Sequence, residues 1–488
     1  MTKKPVSQVL IALDPDSNEP LYKQLSKALI GAIEHGHFNT AELLPSSRTL
    51  SNDLGLSRNT VNLALQLLLS DGYITSMPRV GHTVNPDFQA HLDDQPRPRG
   101  ESLGWEKRLA TDTTDVGHIW KPANWASYPY PFIAGQVETA MFPTKSWGRA
   151  MRLALTPEHA GASLHDLVDR DDPLLIEMLR RHVLRGRGIT AKPEEILITL
   201  GSQHGLGLVA TALLGAGSMV AIEEPGYPDA RHMARSRGAG IMALPVDDQG
   251  AVIPSDLSGV DMVFVTPSHQ YPTNATLSIG RRQALLSQAS RDDFVIVEDD
   301  YDSEFRYLGQ STPAMKSIEN SGRVIYLGSF SKFLAPGLRL GFVVAEPRLI
   351  EHLRDLRRYQ LRHPPGLLQR ALALFIENGD YNRSVRRIRK TYKEKWAAMS
   401  AAVETHIPWP VTIPTGGLSI WVTGPPDFDG TTMAELAIDQ GVVVEAGEPC
   451  FITDPIPRNH FKLGYASTPL PAIEPGLAVL ARVIKDLN

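Results

Sequence analysis

The sequence is poor in cysteine, in long apolar runs and in net charge. Cys450 is the one cysteine of 488 residues, which excludes an intrachain disulfide and zinc or iron–sulfur sites built on paired cysteines, and favours a reducing cytoplasm. No run of about eighteen apolar residues occurs, and Asp14 and Asp16 interrupt the apolar stretch near the N-terminus, so we expect neither a membrane span nor a secretion signal. Because the net charge is −5, any nucleic-acid surface must be local.

The composition predicts a globular chain with several domains. Hydrophobic residues make up 42% and charged residues 21%, and the length suits about two or three domains. Residues 10–84 carry helical patterns with few prolines, and residues 85–128 are rich in proline, glycine and charge, as a linker is. Residues 129–488 alternate short apolar runs with longer helical patterns and form the predicted large domain.

The N-terminal segment has the pattern of a winged helix. Leu25, Leu29 and neighbouring apolar residues recur at helical spacing between Pro20 and Gly36. The segment SSRTLSNDLG predicts a short second helix, and Ser57 is placed to cap a third. After these, YITSMPRVGHTVN alternates apolar and polar residues, as a β-hairpin does. The helix pattern alone also fits a plain three-helix packing module with a solvated face.

In a winged helix, the start of the third helix enters the major groove of DNA, where Arg58 suits a guanine edge or a phosphate and Asn59 suits an adenine. The candidate DNA contacts lie at the starts of the two short helices or on the hairpin. They are Ser46, Ser47, Arg48, Arg58, Asn59, Thr60, Asn62, Arg79 and His82. Because the charges of this segment balance, we expect two copies to act together on DNA.

Three stretches, PLYKQL, LLPSSRTLSNDLGLSRNTV and LLLSDGYITS, resemble the GntR-type winged-helix DNA-binding domain over roughly residues 18–84. The resemblance implies double-stranded operator DNA as a partner.

In the large domain, four apolar β-type runs each end in polar residues: residues 218–227, 262–272, 294–305 and 324–339. Helical patterns separate the runs, which indicates a mostly parallel sheet with crossover helices. Because ligands of such sheets bind beyond the carboxyl ends of the strands, we expect these polar residues to share one site.

The polar residues at this edge match the needs of one cofactor. Lys332 is placed to form a Schiff base with an aldehyde, and Asp299 to hold a pyridinium nitrogen protonated. Phosphate donors are expected from the helix start and strand ends, namely Ser202, Gln203, Ser329, Ser331 and Arg339. Tyr227 offers a stacking face, and Tyr271 and Tyr301 offer phenols to a ring oxygen. Together these predict pyridoxal 5′-phosphate; the alternative is that they are ordinary strand caps.

Other motifs are weaker. Residues 205–210 match the dinucleotide pattern G-x-G-x-x-A with Glu223 downstream, but both glycines would lie inside a helix that begins near Ser202. The histidines His204, His269 and His460 lack ligand spacing, so we expect no metal site. Residues 386–395, RRIRKTYKEK, predict a solvated helix face, with an auxiliary DNA contact as the alternative.

From roughly residue 130 to 488, the order and spacing of these residues resemble the fold-type I aminotransferases. The resemblance implies an α/β domain with a smaller C-terminal α+β subdomain, with Lys332 as the cofactor-binding lysine, Asp299 as the pyridinium partner, Arg339 and Ser329 as phosphate ligands and Tyr227 as the stacking residue. EEPGY, TPSHQYP, EDDYDSEF and GSFSKFLAPGLR, behind a winged helix and a linker, are similar to the MocR (GabR-like) subfamily of GntR regulators. Members are cytoplasmic transcription factors, generally head-to-tail homodimers, which sense a small amine or amino acid through an external aldimine that here would displace Lys332.

The sequence departs from the enzymes at the expected substrate contacts. Tyr271 replaces the asparagine common in the enzymes, and Lys462 stands where they carry a carboxylate-binding arginine. Asp229 and Ser467 occupy the places of the effector arginines in the GABA-sensing member, which makes GABA a poor candidate because neither residue forms a bidentate pair with a carboxylate. Asp229 suggests an effector with a second positive or donor group, whereas Lys462 suits an acid or a sulfonate. The candidate effector contacts are Lys462, Asp229, Ser467 and His269.

The predicted function is therefore a regulator that uses an aminotransferase-like domain as a sensor, without catalytic residues of its own. An active aminotransferase with an accessory helix-turn-helix domain is the alternative. A DNA-binding protein whose large domain is only a dimerisation scaffold is a third possibility.

Overall fold

The computed structural model describes residues 19–38, 43–78, 80–87, 117–310 and 312–487, together with residues 13, 14, 17, 105, 108 and 109. The chain divides into two compact units, Met1–Ala110 and Thr111–Asn488. Most of the predicted linker, residues 85–128, and the predicted DNA contact Arg79 lie outside the described residues.

The first unit contains the three helices and the hairpin that the sequence predicts. Its elements are α1 (Leu21–Glu34), α2 (Ser47–Leu54), α3 (Arg58–Ser70), β1 (Ile74–Met77) and β2 (Gly81–Val84). The strands β1 and β2 pair antiparallel, with Ile74 opposite Val84 and Met77 opposite Gly81. A hairpin that follows α3 is the wing of a winged helix.

Local sequence fixes the starts of α2 and α3. The Ser46 hydroxyl accepts a hydrogen bond from the Thr49 amide, and the Ser57 hydroxyl accepts one from the Thr60 amide, both at 3.1 Å. Each serine thus satisfies an amide that the first turn of a helix leaves without a partner. Gly55 ends α2 with a φ of 66°, a left-handed conformation that glycine adopts at little cost.

The second unit is built on an eight-stranded sheet, whose strands are β4 (Ile196–Thr199), β5 (Met219–Glu224), β6 (Gly240–Asp247), β7 (Gly250–Ala251), β8 (Met262–Val265), β9 (Val295–Asp300), β10 (Val324–Ser329) and β11 (Gly341–Val344). They lie in the order β4-β11-β10-β9-β8-β5-β6-β7. Strands β6, β5, β8, β9 and β10 pair in parallel, whereas β11 runs antiparallel to β10 and β4. The carboxyl ends of β4, β5, β8, β9 and β10 therefore meet at one edge.

Successive residues of the central strands pack on opposite faces of the sheet, because side chains alternate along a strand. Val297 belongs to a core that includes Leu206 and Leu353, whereas its neighbour Ile296 packs in a core with Leu285. Both faces are covered, which explains why these strands read as continuous apolar runs.

The helices of this unit up to the long helix α13 are α4 (Thr144–Ala154), α5 (Pro157–Leu164), α6 (Pro173–Met178), α7 (Ser202–Leu213), α8 (Pro228–Ser236), α9 (Ile279–Asp292), α10 (Met315–Ile318), α11 (Pro347–Leu361), α12 (Gly366–Glu377) and α13 (Asp380–His406).

A smaller α+β part follows α13, as the sequence predicts. It contains β12 (Ser419–Thr423), α14 (Gly430–Asp439), β13 (Val442–Val443), β14 (Glu445–Ala446), β15 (His460–Gly464) and α15 (Ile473–Leu487). Strand β15 pairs antiparallel with β12 on one side and β14 on the other, while β13 pairs in parallel with β3 (Tyr130–Pro131). The pairing of β14 with β15 places Glu445 opposite Lys462. In the described part of the chain, no helix combines the length and apolarity that crossing a bilayer requires.

Candidate cofactor, effector and DNA sites

A cavity of about 340 Å³ opens at the edge where the strands end. It collects residues from separate strand ends and helix starts, as the sequence predicts for a parallel sheet. The predicted residues that line it are Ser202, Gln203, Tyr227, Asp229, Tyr271, Asp299, Tyr301, Ser329, Ser331, Lys332, Arg339 and Lys462.

One end of the cavity has the donors of an anion site. Gly201 precedes α7 with a φ of 81°, so the first amides of this helix are presented to the cavity. The Arg339 guanidinium lies beside Gly201 and donates to the Leu200 carbonyl at 3.0 Å. A Cβ added at Gly201 would lie 3.3 Å from Arg339 Nη2, so the close approach favours glycine. The buried Ser331 hydroxyl has no hydrogen-bond partner among the described residues. These groups fit a phosphate.

Asp299 and three tyrosines form a second group. Asp299 is buried, and its Oδ1 has no partner within the described structure. Burial, reinforced by the charge of Asp300, raises the pKa of Asp299 to about 7. The ring centroid of Tyr271 lies 5.4 Å from that of Tyr227 and 6.3 Å from that of Tyr301. A buried carboxyl without a partner, beside aromatic faces, fits a protonated ring nitrogen.

The amine of Lys332 projects into the same cavity. Its Nζ lies 3.5 Å from the Gly135 carbonyl oxygen, and a Cβ added at Gly135, where φ is 75°, would lie 2.6 Å from this nitrogen. Burial, and then the positive charge of Lys462, lower the pKa of Lys332 below its ordinary value. A lowered pKa increases the fraction of neutral amine, the form that reacts with an aldehyde. The donor set, the unpartnered Asp299 oxygen and this amine together fit pyridoxal 5′-phosphate.

The expected effector contact Lys462 is already paired. Its Nζ lies 2.8 Å from Glu445 Oε2 and donates to the Tyr271 hydroxyl at 2.6 Å. Both Lys462 and Glu445 are buried. Asp229 is also engaged, because its carboxylate accepts from the Tyr227 hydroxyl at 3.0 Å and from Gln203 Nε2 at 2.7 Å. Each of these side chains lines the cavity with its charge partly or wholly satisfied.

Two predicted effector contacts, His269 and Ser467, do not line the cavity. His269 is buried with its Nδ1 2.8 Å from Asp302 Oδ1, so it orients a lining residue from behind. Ser467 is buried and donates to the Ile133 carbonyl at 3.3 Å. In the structure both side chains contact protein partners and neither lines the cavity, so their predicted contact with the effector stays a prediction.

Sequence reasoning missed several lining residues. Glu445 follows an apolar run and belongs to no recognisable motif. It lines the cavity only because β14 pairs with β15. His118, Ile119 and Lys121 also line the cavity, although composition placed them in the linker. The polar and proline-rich context of residues 117–121 gave no sign that this stretch packs on the large domain.

The weaker motifs have structural explanations. Gly205 and Gly207 lie inside α7, which removes the tight turn a dinucleotide needs, and a Cβ at Gly205 would lie 2.9 Å from Val343 Cγ2. Glu223 is buried and accepts from the Thr266 hydroxyl at 2.6 Å, which makes it a structural residue. The described residues contain no group of three or more metal-ligating side chains.

Residues 386–395 lie within α13. The basic residues of this stretch up to Lys393 are exposed, as expected for a solvated face. Lys395 is an exception to the expected face, because it is buried and pairs with Glu138 at 2.7 Å.

In the first unit, the predicted DNA contacts differ in exposure. Those at exposed positions are Ser46, Arg48, Arg58, Asn59 and Asn62, and those half-buried are Ser47, Thr60 and His82. The Thr60 hydroxyl lies 2.8 Å from the Ser57 hydroxyl and so takes part in the helix cap. Arg58, Asn59 and Asn62 follow the capped start of α3 and present a polar surface.

Comparison with known proteins agrees with the division of the chain into a DNA-binding unit and a cofactor-binding unit. Residues 123–480 match the family "Aminotransferase class I and II", and residues 21–84 match "Bacterial regulatory proteins, gntR family". Kynurenine aminotransferase from Pyrococcus horikoshii superposes with a TM-score of 0.71 at 28% identity, covering 79% of this chain and 98% of that chain. The fold and the site therefore define a winged-helix DNA-binding protein with a fold-type I aminotransferase domain, whose cofactor is pyridoxal 5′-phosphate.

Two relatives match over nearly the whole chain. The HTH-type transcriptional regulator TauR of Rhodobacter capsulatus is 37% identical over 484 residues, which cover 99% of both chains. The probable rhizopine catabolism regulatory protein MocR of Rhizobium meliloti is 32% identical over 468 residues, which cover 94% of this chain and 92% of that protein. The chain belongs to the MocR-type subfamily of the GntR transcriptional regulators.

Proposed function

We propose that this regulator senses a small amine or amino acid in the cavity around Lys332, in the cytoplasm, and responds by changing how its winged helices engage operator DNA. The observation that carries the proposal is the Lys332 amine, which projects into a cavity with a phosphate-type donor set and a buried, unpartnered carboxyl. These groups accompany a DNA-binding unit on the same chain.

The residues have separate roles in the proposed sensor. When bound, pyridoxal 5′-phosphate supplies an aldehyde that condenses reversibly with a primary amine. Arg339, Ser331 and the first amides of α7 hold the phosphate, and Asp299 holds a proton at the ring nitrogen. Lys332 supplies the amine with which an effector amine competes. Tyr227 and Tyr271 close the sides of the cavity.

An effector changes DNA binding only if it favours one arrangement of the protein over another. Displacement of Lys332 supplies such a difference, because the freed lysine and the new ligand change the charges within one cavity. We expect a homodimer, head-to-tail as the subfamily resemblance implies, to present two winged helices to paired half-sites. Two copies acting together compensate for the balanced charge of a single DNA-binding unit.

An active aminotransferase is the second candidate, since the full set of Lys332, Asp299 and Arg339 is present and aromatic-amino-acid aminotransferase 1 of Thermococcus litoralis is 32% identical over 397 residues. Two observations favour sensing over turnover. The relatives that match nearly the whole chain are named as regulators. In addition, Lys462, which stands at the expected carboxylate-binding position, is paired with Glu445.

The test is Lys332→Ala in the full-length holoprotein, with Lys145→Ala, an exposed lysine of α4, as the matched control. We expect Lys332→Ala to lose the visible absorbance of the lysine-bound cofactor and the effector-induced change in operator affinity, while basal operator binding persists. The control should behave as wild type. Steady-state transamination of an amino acid with a keto-acid acceptor by the wild-type protein would favour the enzyme instead. Failure of the wild-type protein to bind pyridoxal 5′-phosphate would leave the large unit as a dimerisation scaffold.

A further inference from the structure

The segment that leads from the linker into the large unit forms one wall of the cofactor cavity. In this entry segment, residues 117–121, His118, Ile119 and Lys121 line the cavity. The Gly117 carbonyl oxygen lies 3.3 Å from His232 Nε2, and the rings of His118 and His232 lie 6.1 Å apart. His232 belongs to α8, which begins directly after Tyr227. The entry segment is therefore packed beside the aromatic side of the cavity.

Among the lysines and arginines that line the cavity, Lys121 has no role assigned so far. Lys462 is matched by Glu445 at 2.8 Å. Arg339 is one of the donors assigned to the phosphate, and Lys332 is the amine that reacts with the aldehyde. Lys121 is half-buried in the lining and forms no ion pair or hydrogen bond with any residue of the described structure.

Two acids of the cavity lining, Asp229 and Asp302, already have protein partners, and Asp299 is assigned to the ring nitrogen of the cofactor. Asp229 accepts from Tyr227 and Gln203, and Asp302 is held by His269 at 2.8 Å. A half-buried ammonium that lines a ligand cavity without a protein partner gains most from an anionic group on the ligand, because a charge-assisted hydrogen bond is stronger than a neutral one.

We propose that Lys121 binds an acidic group of the effector, so that the effector bridges the reactive centre at Lys332 and the entry segment. This inference rests on the proposed function and adds one residue to it: Lys121 contacts the carboxylate or sulfonate of an aliphatic primary amine whose acid lies away from its amine. Because Lys462 is neutralised by Glu445, Lys121 and not Lys462 supplies the cation for this acid. The entry segment continues directly into the linker, so a ligand held by Lys121 restrains the chain that leads to the DNA-binding unit.

The experiment compares three probes on the full-length holoprotein: β-alanine, aminoethanesulfonate and propylamine. They share a primary amine and two methylenes and differ in the end group. Each is titrated into wild type, Lys121→Met, Lys121→Arg and the exposed control Lys145→Met, and the change in cofactor absorbance gives the dissociation constant. Comparison of the two acidic probes shows whether the site binds a carboxylate or a sulfonate more tightly.

We expect wild type to bind at least one acidic probe more tightly than propylamine. Lys121→Met should weaken that probe by about tenfold or more, as expected for a lost hydrogen bond between charged groups, and leave propylamine within about twofold. Lys121→Arg should retain most of the affinity because the charge is kept, and Lys145→Met should match wild type.

Equal loss for all three probes in Lys121→Met, or no loss for any, would overturn the role of Lys121 while leaving amine sensing intact. Equal binding of propylamine and both acids by wild type would do the same. If no primary amine changes the cofactor absorbance of wild type, the proposed function itself fails, and this inference fails with it.

Discussion

Lys462 and Glu445 form a buried ion pair in the wall of the cofactor cavity, with Nζ 2.8 Å from Oε2. By the resemblance to the aminotransferases, the lysine is expected at the position of the arginine that binds the substrate carboxylate. A carboxylate that already occupies this cation weakens its attraction for a second one, and removing either partner leaves the other charge buried and unmatched. We therefore expect the pair to disfavour α-amino acids as ligands.

Glu445→Gln should make the cavity more receptive to α-amino acids. The substitution keeps the size of the side chain and frees the charge of Lys462, so we expect the affinity for alanine to rise by about tenfold relative to that for propylamine. The measurement is the same absorbance titration. Glu448→Gln, which removes a carboxylate outside the cavity lining, is the control and should leave the ratio unchanged. An unaltered ratio in Glu445→Gln would show that the pair does not govern selectivity.

Gly201→Ala should weaken cofactor binding. Gly201 has a φ of 81°, and the added Cβ would lie 3.3 Å from Arg339 Nη2, so both the backbone and the guanidinium proposed to hold the phosphate must shift. We expect the dissociation constant for pyridoxal 5′-phosphate to rise by about tenfold, as measured by reconstitution of the apoprotein. Gly215→Ala, where an added Cβ meets nothing within 4 Å, is the matched control. If both variants bind the cofactor equally well, Gly201 has no part in the phosphate site.

Lys462→Met should shift the pH dependence of cofactor reconstitution. The positive charge of Lys462 lowers the pKa of Lys332, and the charge of Glu445 raises it. Loss of Lys462 removes the first effect and leaves Glu445 unmatched, so both changes favour the protonated amine and raise the pKa of Lys332. Because the neutral amine reacts, the rise in reconstitution rate with pH should move to higher pH.

The check is the initial rate of absorbance change on adding pyridoxal 5′-phosphate to apoprotein across a pH series. Lys145→Met, which removes an exposed charge outside the cavity, should follow the wild-type profile. A Lys462→Met profile that stays in place or moves to lower pH contradicts the proposed electrostatic coupling.

Arg58→Ala should reduce specific operator binding without affecting the cofactor. Arg58 is exposed at the capped start of α3, the position from which a winged helix reads bases. We expect a loss of about tenfold or more in operator affinity and a smaller loss for unrelated DNA, since a base contact contributes roughly 1–3 kcal/mol of discrimination. Lys23→Ala removes one exposed positive charge from α1 and serves as the control. Equal losses in the two variants would reduce Arg58 to a general electrostatic role.

Much of the site was predictable because its chemistry follows local patterns. Asp299, Ser329 and Lys332 lie in or just after apolar strands, and the carboxyl ends of parallel strands must meet at one edge. Ser46 and Ser57 were recognisable as helix starts, because a capping serine satisfies amides within its own first turn. The GntR and aminotransferase resemblances, confirmed by the comparisons, rest on residues of this kind.

The sequence by itself therefore determined the two folds, the cofactor and the place of Lys332 just after a strand end, because strand period, helix caps and strand-end residues act over a few positions of the chain. Only the tertiary structure decided which charges meet: Glu445 reaches Lys462 through the pairing of β14 with β15, and Lys121 joins the cavity from a stretch that composition assigns to a linker. The tertiary structure also places the side chains of His269 and Ser467 against protein partners. Contacts between distant segments depend on how whole elements pack, and no local pattern in one sequence encodes them.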